Sequence, residues 1–336
     1  MTVISRLRLW MKYLYEEIRR NGIRGTFRTV RLKLRQMWLI PKTLRNNQCL
    51  LHTTTLLGYD LLVDSNDAGI GKELRRYGVH EPALISVLPL FVHEGDTVLD
   101  IGANIGYYAV FLSRLIGENG VIVCVEPHPN NFDILLRNLQ LNRVKNAIAL
   151  PLAVSNRKGQ AELFVSSWSN WHSLLETVTP RASRIPVTTT TIDDLAQQVN
   201  RPVNLIRMDI EGYEFLALEG GRRTLERDKP TLVVEIHPNL QASSDIIAQH
   251  LQFLSSLGYE SEFLIFRPEE EFGRKARLWR LSLAEIIANK LLLEGPATLL
   301  LILVAKEKSV TARARNLRQR SLSGEELVGP QPHKTG

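Results

Sequence analysis

Residues 97–107 read Thr97-Val98-Leu99-Asp100-Ile101-Gly102-Ala103-Asn104-Ile105-Gly106-Tyr107. An apolar run closes on an acid, a glycine-containing turn follows, and apolar residues at helical spacing begin at Tyr107. This pattern predicts a buried strand over Thr97–Ile101, a tight turn and a helix over Tyr107–Ile116. Gly102 and Gly106 allow a sharp backbone turn and let a ligand lie close to the chain. The N–H groups that open the helix favour anionic or polar ligand groups. Asp100 ends its strand, the position at which open α/β sheets bind ligands.

The same alternation continues outward. Strands are predicted over Val121–Val125, Ala147–Val154 (broken by Pro151), Glu162–Val165, Val187–Thr191, Leu205–Met208, Thr231–Ile236, Tyr259–Phe266 and Ala297–Ala305. Helices are predicted over Asn130–Leu141, Phe215–Leu225 (broken at Gly220–Gly221) and Ile246–Leu257, with another after Asp193 or Asp194, either of which can cap it. Upstream, residues 53–64 read as a hairpin turning at Gly58, and helical spacing runs from Glu81 to Phe91. Strand–helix alternation with unbroken apolar strands predicts an α/β fold, a mostly parallel sheet covered by helices on both faces. Leu299–Val304 is the most apolar run, and nine residues after Pro296 are too few to cross a bilayer as a helix.

Composition narrows the function. The chain has 336 residues, 44% hydrophobic and 23% charged, and a net charge of +7. That charge is unevenly placed. Residues 1–45 carry +10, residues 306–336 carry +4, and the body between them carries −7. An acidic body disfavours a nucleic-acid groove, and with it RNA methylation. The two cysteines, Cys49 and Cys124, exclude a disulfide framework and a cysteine zinc site, and fit a reducing, cytoplasmic setting. Residues 1–50 form a basic, amphipathic helical extension without a secretory signal, and 307–336 a polar, basic tail that lacks a core pattern. The extension has two open readings, packing on the body or peripheral contact with an anionic membrane surface through residues 1–45.

Four clusters carry chemistry. The first is the Asp100–Gly106 turn. A dinucleotide fingerprint has glycine at its first, third and sixth positions, and the second of these lets a pyrophosphate touch the backbone. Here Asn104 occupies that place. A side chain there argues for a ligand without a pyrophosphate, such as S-adenosyl-L-methionine. The second is Glu126, 26 residues after Asp100 at the next strand end, where an acid can accept ribose hydroxyls. The third is Asp209-Ile-Glu211-Gly212-Tyr213-Glu214. Asp209 and Glu211, two apart, point the same way on an extended backbone, and clustered carboxylates raise one another's pKa, which suits a general base or a cationic ligand. The fourth is Glu235-Ile-His237-Pro238, whose histidine either removes a proton near neutral pH or is a satisfied rim residue. No H-E-x-x-H or complete facial-triad spacing is visible, so no metal is expected, with strand-end carboxylates as the alternative that would hold one.

Together these motifs resemble the FkbM family of S-adenosylmethionine-dependent methyltransferases. The resemblance covers about residues 55–305 and rests on Asp100-Ile-Gly-Ala-Asn-Ile-Gly, the Glu126-Pro turn, Thr-Ile-Asp193-Asp-Leu and Asp209-Ile-Glu-Gly-Tyr-Glu. It implies a class I methyltransferase fold over residues 51–306, a Rossmann-like seven-stranded sheet whose last strand, Leu299–Val304, is inserted antiparallel. It implies that Asp100, Gly102, Asn104 and Gly106 face the methionine portion of the donor and that Glu126 holds its ribose. It places Ala153, Val154 and Ser155 near adenine, Asp209 and Glu211 where donor and acceptor meet, and Glu81 at a helix start that faces the donor. Candidate bases are Glu211, His237 and Asp209. The loop with Trp168, Trp171 and His172 departs from the family pattern; its rings either stack on a sugar or planar substrate or serve packing. The expected activity is O-methylation of a hydroxyl on a small molecule, sugar, glycan or secondary metabolite. The contrasting expectation is a membrane-surface or partner-binding protein that keeps the fold without turnover.

Overall fold

The computed structural model describes residues 50–166, 171–175, 183–267 and 276–308. The basic extension, Trp168 and the basic tail lie outside these residues. Thirteen strands are present among them: β1 (Leu50–Thr54), β2 (Asp60–Asp64), β3 (Thr97–Ile101), β4 (Val121–Val125), β5 (Ala147–Leu150), β6 (Ala153–Val154), β7 (Gly159–Val165), β8 (Ser183–Thr190), β9 (Leu205–Met208), β10 (Thr231–Ile236), β11 (Tyr259–Arg267), β12 (Arg277–Trp279) and β13 (Thr298–Ala305).

The main sheet has the order β12-β11-β13-β10-β9-β3-β4-β5. From β10 to β5 the neighbours are parallel. β13 enters antiparallel between β10 and β11, pairing Glu235 with Leu300 on one side and Leu264 with Leu301 on the other. Counted along the chain without the edge strand β12, the order is 3-2-1-4-5-7-6, seven strands with the last inserted antiparallel as the resemblance implies. β12 adds an eighth strand that has no apolar run in the sequence to announce it.

Alternation along each strand divides the interior into two layers. Val98, Ile122, Cys124, Leu300, Ile302 and Val304 face one layer, where they meet the helices Pro82–Val87, Tyr107–Leu115 and Pro129–Leu141. Leu99, Val123, Val125, Leu299, Leu301 and Leu303 face the other, under the helices Ile192–Val199, Glu214–Glu219, Arg222–Asp228, Ser244–Ser256 and Leu283–Ala288. A sheet buried on both faces has no polar side to show, which is why its strands read as unbroken apolar runs. Cys124 is a buried free thiol within this core.

Two local details differ from the sequence reading. The helix Ile192–Val199 is capped by Thr191, whose hydroxyl accepts from the Asp194 N–H at 3.1 Å, and not by either aspartate. Asp193 instead accepts from the backbone and hydroxyl of Thr224 at 2.8 and 2.7 Å, tying this helix to the next. Pro151 separates two strands that belong to different sheets. β6 leaves the main sheet and joins β8 in parallel, with β7 antiparallel on the other side of β8, in a small sheet beside the strand ends. The hairpin β1–β2 is as predicted, with Gly58 at φ +75°. Asn138 fastens it: its Oδ1 accepts from Leu62 N–H at 2.6 Å, and its amide donates to the Leu62 and Ile105 carbonyls at 3.0 and 2.7 Å.

Leu301 is fully buried at the centre of the inserted strand. Leu301→Ala is expected to destabilise the protein by roughly 2–5 kcal/mol. The effect is read as a lower urea midpoint at unchanged slope; a shift within error would mean that β13 is not packed as described.

Candidate active site

Parallel strands present their carboxyl ends along one rim, and the strand order reverses between β3 and β9. Crevices in open α/β sheets form at such a switch point. Here the turn after β3 crosses against the end of β9. Gly102 has φ +79°, and a Cβ on it would lie 1.9 Å from the Asp209 carbonyl oxygen. No other residue fits without moving the backbone of β9. The N–H groups of Gly102 and Ala103 both donate to the Val125 carbonyl, at 2.9 and 3.0 Å. Asn104 follows at φ +48° and donates its N–H to Glu126 Oε2 at 2.9 Å. The other Glu126 oxygen accepts from the His128 N–H at 2.9 Å. The acid at the end of β4 therefore shapes the glycine turn as well as facing the cleft.

The cleft is lined by Gly102, Asn104, Glu126, Ala153, Val154, His172, Asp209 and Glu211, with apolar walls from Ile101, Val125, Leu152, Leu163, Leu174 and Ile210. Its empty space, open mouth included, is about 570 Å³. Asp100 and Gly106 stand behind this lining. Ser155 turns away, donating its N–H to the Thr190 carbonyl and its hydroxyl to Asn156. Trp171 is 42% exposed. The His172 ring lies tilted against His128 with centroids 4.0 Å apart and accepts from the Ser166 N–H. Burial pulls both imidazoles down, His128 to about 4 and His172 to about 3, so the pair is neutral at pH 7.

The structure adds residues that the motifs did not single out. Arg207, buried on β9, donates to the Gly102 carbonyl at 2.9 Å and to Asp209 Oδ2 at 3.0 Å, and lies 3.5 Å from Asp100 Oδ1. Its guanidinium covers the Tyr108 ring at 4.4 Å. Arg267, at the end of β11, bridges Glu81 and Glu235, and Glu81 also accepts from the Tyr108 hydroxyl. Glu81 caps the helix Pro82–Val87 at φ +46° with a buried side chain. Burial alone would raise its pKa, but Arg267 and its other cationic neighbours hold it below the usual carboxylate range. An arginine inside Leu-Ile-Arg-Met was the available signal for Arg207. Nothing local marked Arg267.

The three candidate bases come together. His237 Nε2 lies 3.5 Å from Glu211 Oε2 and 3.3 Å from Glu235 Oε1, and Asp209 completes a group of donor atoms within 4.8 Å of one another. Glu211 takes φ +55° at the turn after β9, a conformation costly for a non-glycine residue. Its carbonyl accepts from the Ser173 hydroxyl at 2.7 Å. Glu214 secures the turn by accepting from the Ile210 and Gly212 N–H groups, both at 3.1 Å. Burial raises Glu211, and the charges of Asp209 and Glu214 add to the effect, while His237 opposes it. Burial would lower His237, but the charges of Glu211 and Glu214 outweigh that and raise it. Burial also pushes Asp100 up to about 6 and Glu126 up to about 7.

A doubly wound sheet with this strand order and a glycine turn at its switch point defines the class I methyltransferase architecture. Residues 100–261 match the model of the methyltransferase FkbM domain. Among curated relatives, protein-L-isoaspartate O-methyltransferase 1 of Archaeoglobus fulgidus is 30% identical over 74 residues, 21% of this chain and 34% of that protein. Protein-L-isoaspartate O-methyltransferase of Thermotoga maritima is 34% identical over 70 residues, 20% of this chain and 22% of that protein. The chain thus spans about a third or less of the length of these two relatives. The crystal structure of methyltransferase FkbM from Methylobacillus flagellatus aligns at 21% identity and a TM-score of 0.35, covering 48% of this chain and 37% of that one.

The raised carboxyls give stability a definite pH slope. The folded protein holds protons on Glu126 and Glu211 that the unfolded chain releases near pH 4, so ionising them costs stability as pH rises. His237, raised, loses its contribution in the same direction. His128 and His172, lowered, work the opposite way, but only up to the unfolded histidine pKa near 6.5. Between pH 6.5 and 8 the urea midpoint of the ligand-free protein is therefore expected to fall. A flat or rising midpoint over that window would contradict the raised values.

Proposed function

We propose that the chain is an S-adenosylmethionine-dependent methyltransferase that transfers a methyl group to a hydroxyl oxygen of a sugar, a glycan or a secondary metabolite. The observation that carries this reading is the two-ended cleft. One end offers the turn of Gly102 and Asn104, together with Glu126. The other offers Asp209 and Glu211, with His237 3.5 Å from Glu211. Carboxylates with raised pKa values suit a ligand that brings positive charge, because a cation nearby favours their ionised form.

The residues fit the donor in separate parts. Gly102, Asn104 and the acid Asp100 behind them suit the charged methionine end. Glu126 has a second lone pair on each oxygen for ribose hydroxyls. Ala153, Val154 and Leu163 supply an apolar wall for a flat base. The donor supplies an electrophilic methyl carbon on a sulfonium, and the carbon–sulfur bond breaks as the acceptor oxygen bonds to that carbon. Much of the rate enhancement expected from the protein is placement of the two reactants. The acceptor proton passes to the Glu211–His237 pair, with Asp209 as the third candidate. Asp209 is held by Arg207, so its part is chiefly to fix charge beside the reacting groups. Residues 51–306 would form the catalytic unit, leaving the basic ends to location.

Titration of the full chain with S-adenosylhomocysteine by calorimetry tests the reading. Saturable binding is expected, weakened at least tenfold (about 1.4 kcal/mol) in Glu126→Gln. Absence of binding to the folded wild type would end the proposal. Labelled methyl transfer into glycan and small-molecule extracts, with mass spectrometry of the product, then identifies the acceptor.

A further inference from the structure

Asp209 closes β9, Glu211 follows two residues later, and His237 follows the neighbouring strand β10. One ligating atom from each lies within 4.8 Å of the other two. Three bonds of about 2.1 Å to one ion require donors roughly 3.0–4.2 Å apart, so only a small contraction separates the two arrangements. The strand ends place two carboxylates and one imidazole on a common point without any contiguous motif.

The polar atoms left over point the same way. Asp209 Oδ2 is taken by Arg207, but its Oδ1 is buried with no hydrogen-bond partner. His237 Nδ1 is likewise buried and unpartnered. Glu214, fully buried in the same turn, spends Oε1 on two N–H groups and leaves Oε2 without a partner. Buried acceptors left unpaired are costly, and a cation between Asp209 and His237 satisfies one on each at once.

Charge balance gives a third argument. Arg207 is shared by Asp100 and Asp209, and Arg267 by Glu81 and Glu235. Among the described residues, the ion pair made by Glu211 is with His237. The acceptor end is therefore short of positive charge. Its donors, carboxylate oxygens and one imidazole, suit a hard or borderline divalent ion. Glu235, 3.3 Å from His237 Nε2, supplies the carboxylate that commonly orients a ligating histidine.

We propose that Asp209, Glu211 and His237 bind one divalent cation of the Mg²⁺/Mn²⁺ class at the acceptor end of the cleft. The binding claim stands on these residues alone; its role rests on the methyl-transfer reading. With the ion bound, Glu211 and His237 spend their lone pairs on it and no longer take the acceptor proton; the ion then lowers the pKa of the hydroxyl it holds, and the proton leaves to water.

The test uses chelator-stripped full-length protein and MnCl₂. Titration followed by electron paramagnetic resonance of free Mn²⁺ is expected to show one bound ion per chain. Pulsed spectra are expected to show coupling to an imidazole nitrogen. His237→Gln should abolish that coupling, and both His237→Gln and Glu211→Gln should weaken binding at least tenfold. Failure of the wild type to bind Mn²⁺, lack of nitrogen coupling in it, or unchanged affinity in folded Glu211→Gln would each overturn the proposal. A parallel S-adenosylhomocysteine titration separates the two ideas. Nucleoside binding without Mn²⁺ removes only the metal site, whereas Mn²⁺ binding without the nucleoside leaves the metal site and removes the methyl-donor reading.

Discussion

Arg207 stands on β9 with its guanidinium inside the protein, where an isolated charge would be prohibitively costly. It is tolerated because its donors are spent on three elements at once: Asp100 at the end of β3, the Gly102 carbonyl in the turn, and Asp209 at the end of β9. Breaking a buried pair by removing one member typically costs about 3–5 kcal/mol, since the other charge is left stranded. The three groups are therefore held to one another as a unit. The glycine turn packs against the Asp209 carbonyl, and Arg207 holds the same turn through the Gly102 carbonyl. The geometry of the cleft floor follows from this clamp more than from the loops that surround it.

A second bridge repeats the device at the acceptor end. Arg267 spans Glu81 and Glu235, Tyr108 joins Glu81 to the face of Arg207, and Glu235 faces His237. Two cations and their carboxylates thus run as one buried chain from the glycine turn to the proposed proton acceptor. Such a chain is rigid in charge as well as shape, because a change at one member alters the field at the others. Glu211 and Glu214 lie at its edge with the least compensation, so their protonation is the most responsive to whatever binds beside them.

Much of the fold was legible in the sequence for a single physical reason. Burial on both faces leaves few polar residues in β3, β4, β9, β10 and β13, so the strands stand out as apolar runs. The reasoning failed where burial ended. β12 is short and largely exposed, β8 begins in an exposed stretch four residues before its apolar signal, and the helices Leu283–Ala288 and Lys290–Glu294 are too short to show a clear period. The site divides in the same way. Asp209 and Glu211 could be grouped because they share one strand end and a spacing of two. That His237 joins them depends on the pairing of β10 with β9, which is a tertiary fact. Arg207 left a trace, a charge inside an apolar strand, and Arg267 left none because it follows the apolar part of β11.

The segment 171–175 lines one side of the cleft. A bridge between Phe164 and Ser173, the Ser173 hydroxyl bond to the Glu211 carbonyl, the contact of His172 with His128 and the packing of Leu174 on the small sheet hold it there. None of these attachments involves the main sheet's apolar layers. Under the proposed function, residues 171–175 can therefore vary at little expense to the two main apolar layers, so acceptor preference can change while the donor end of the cleft stays as it is.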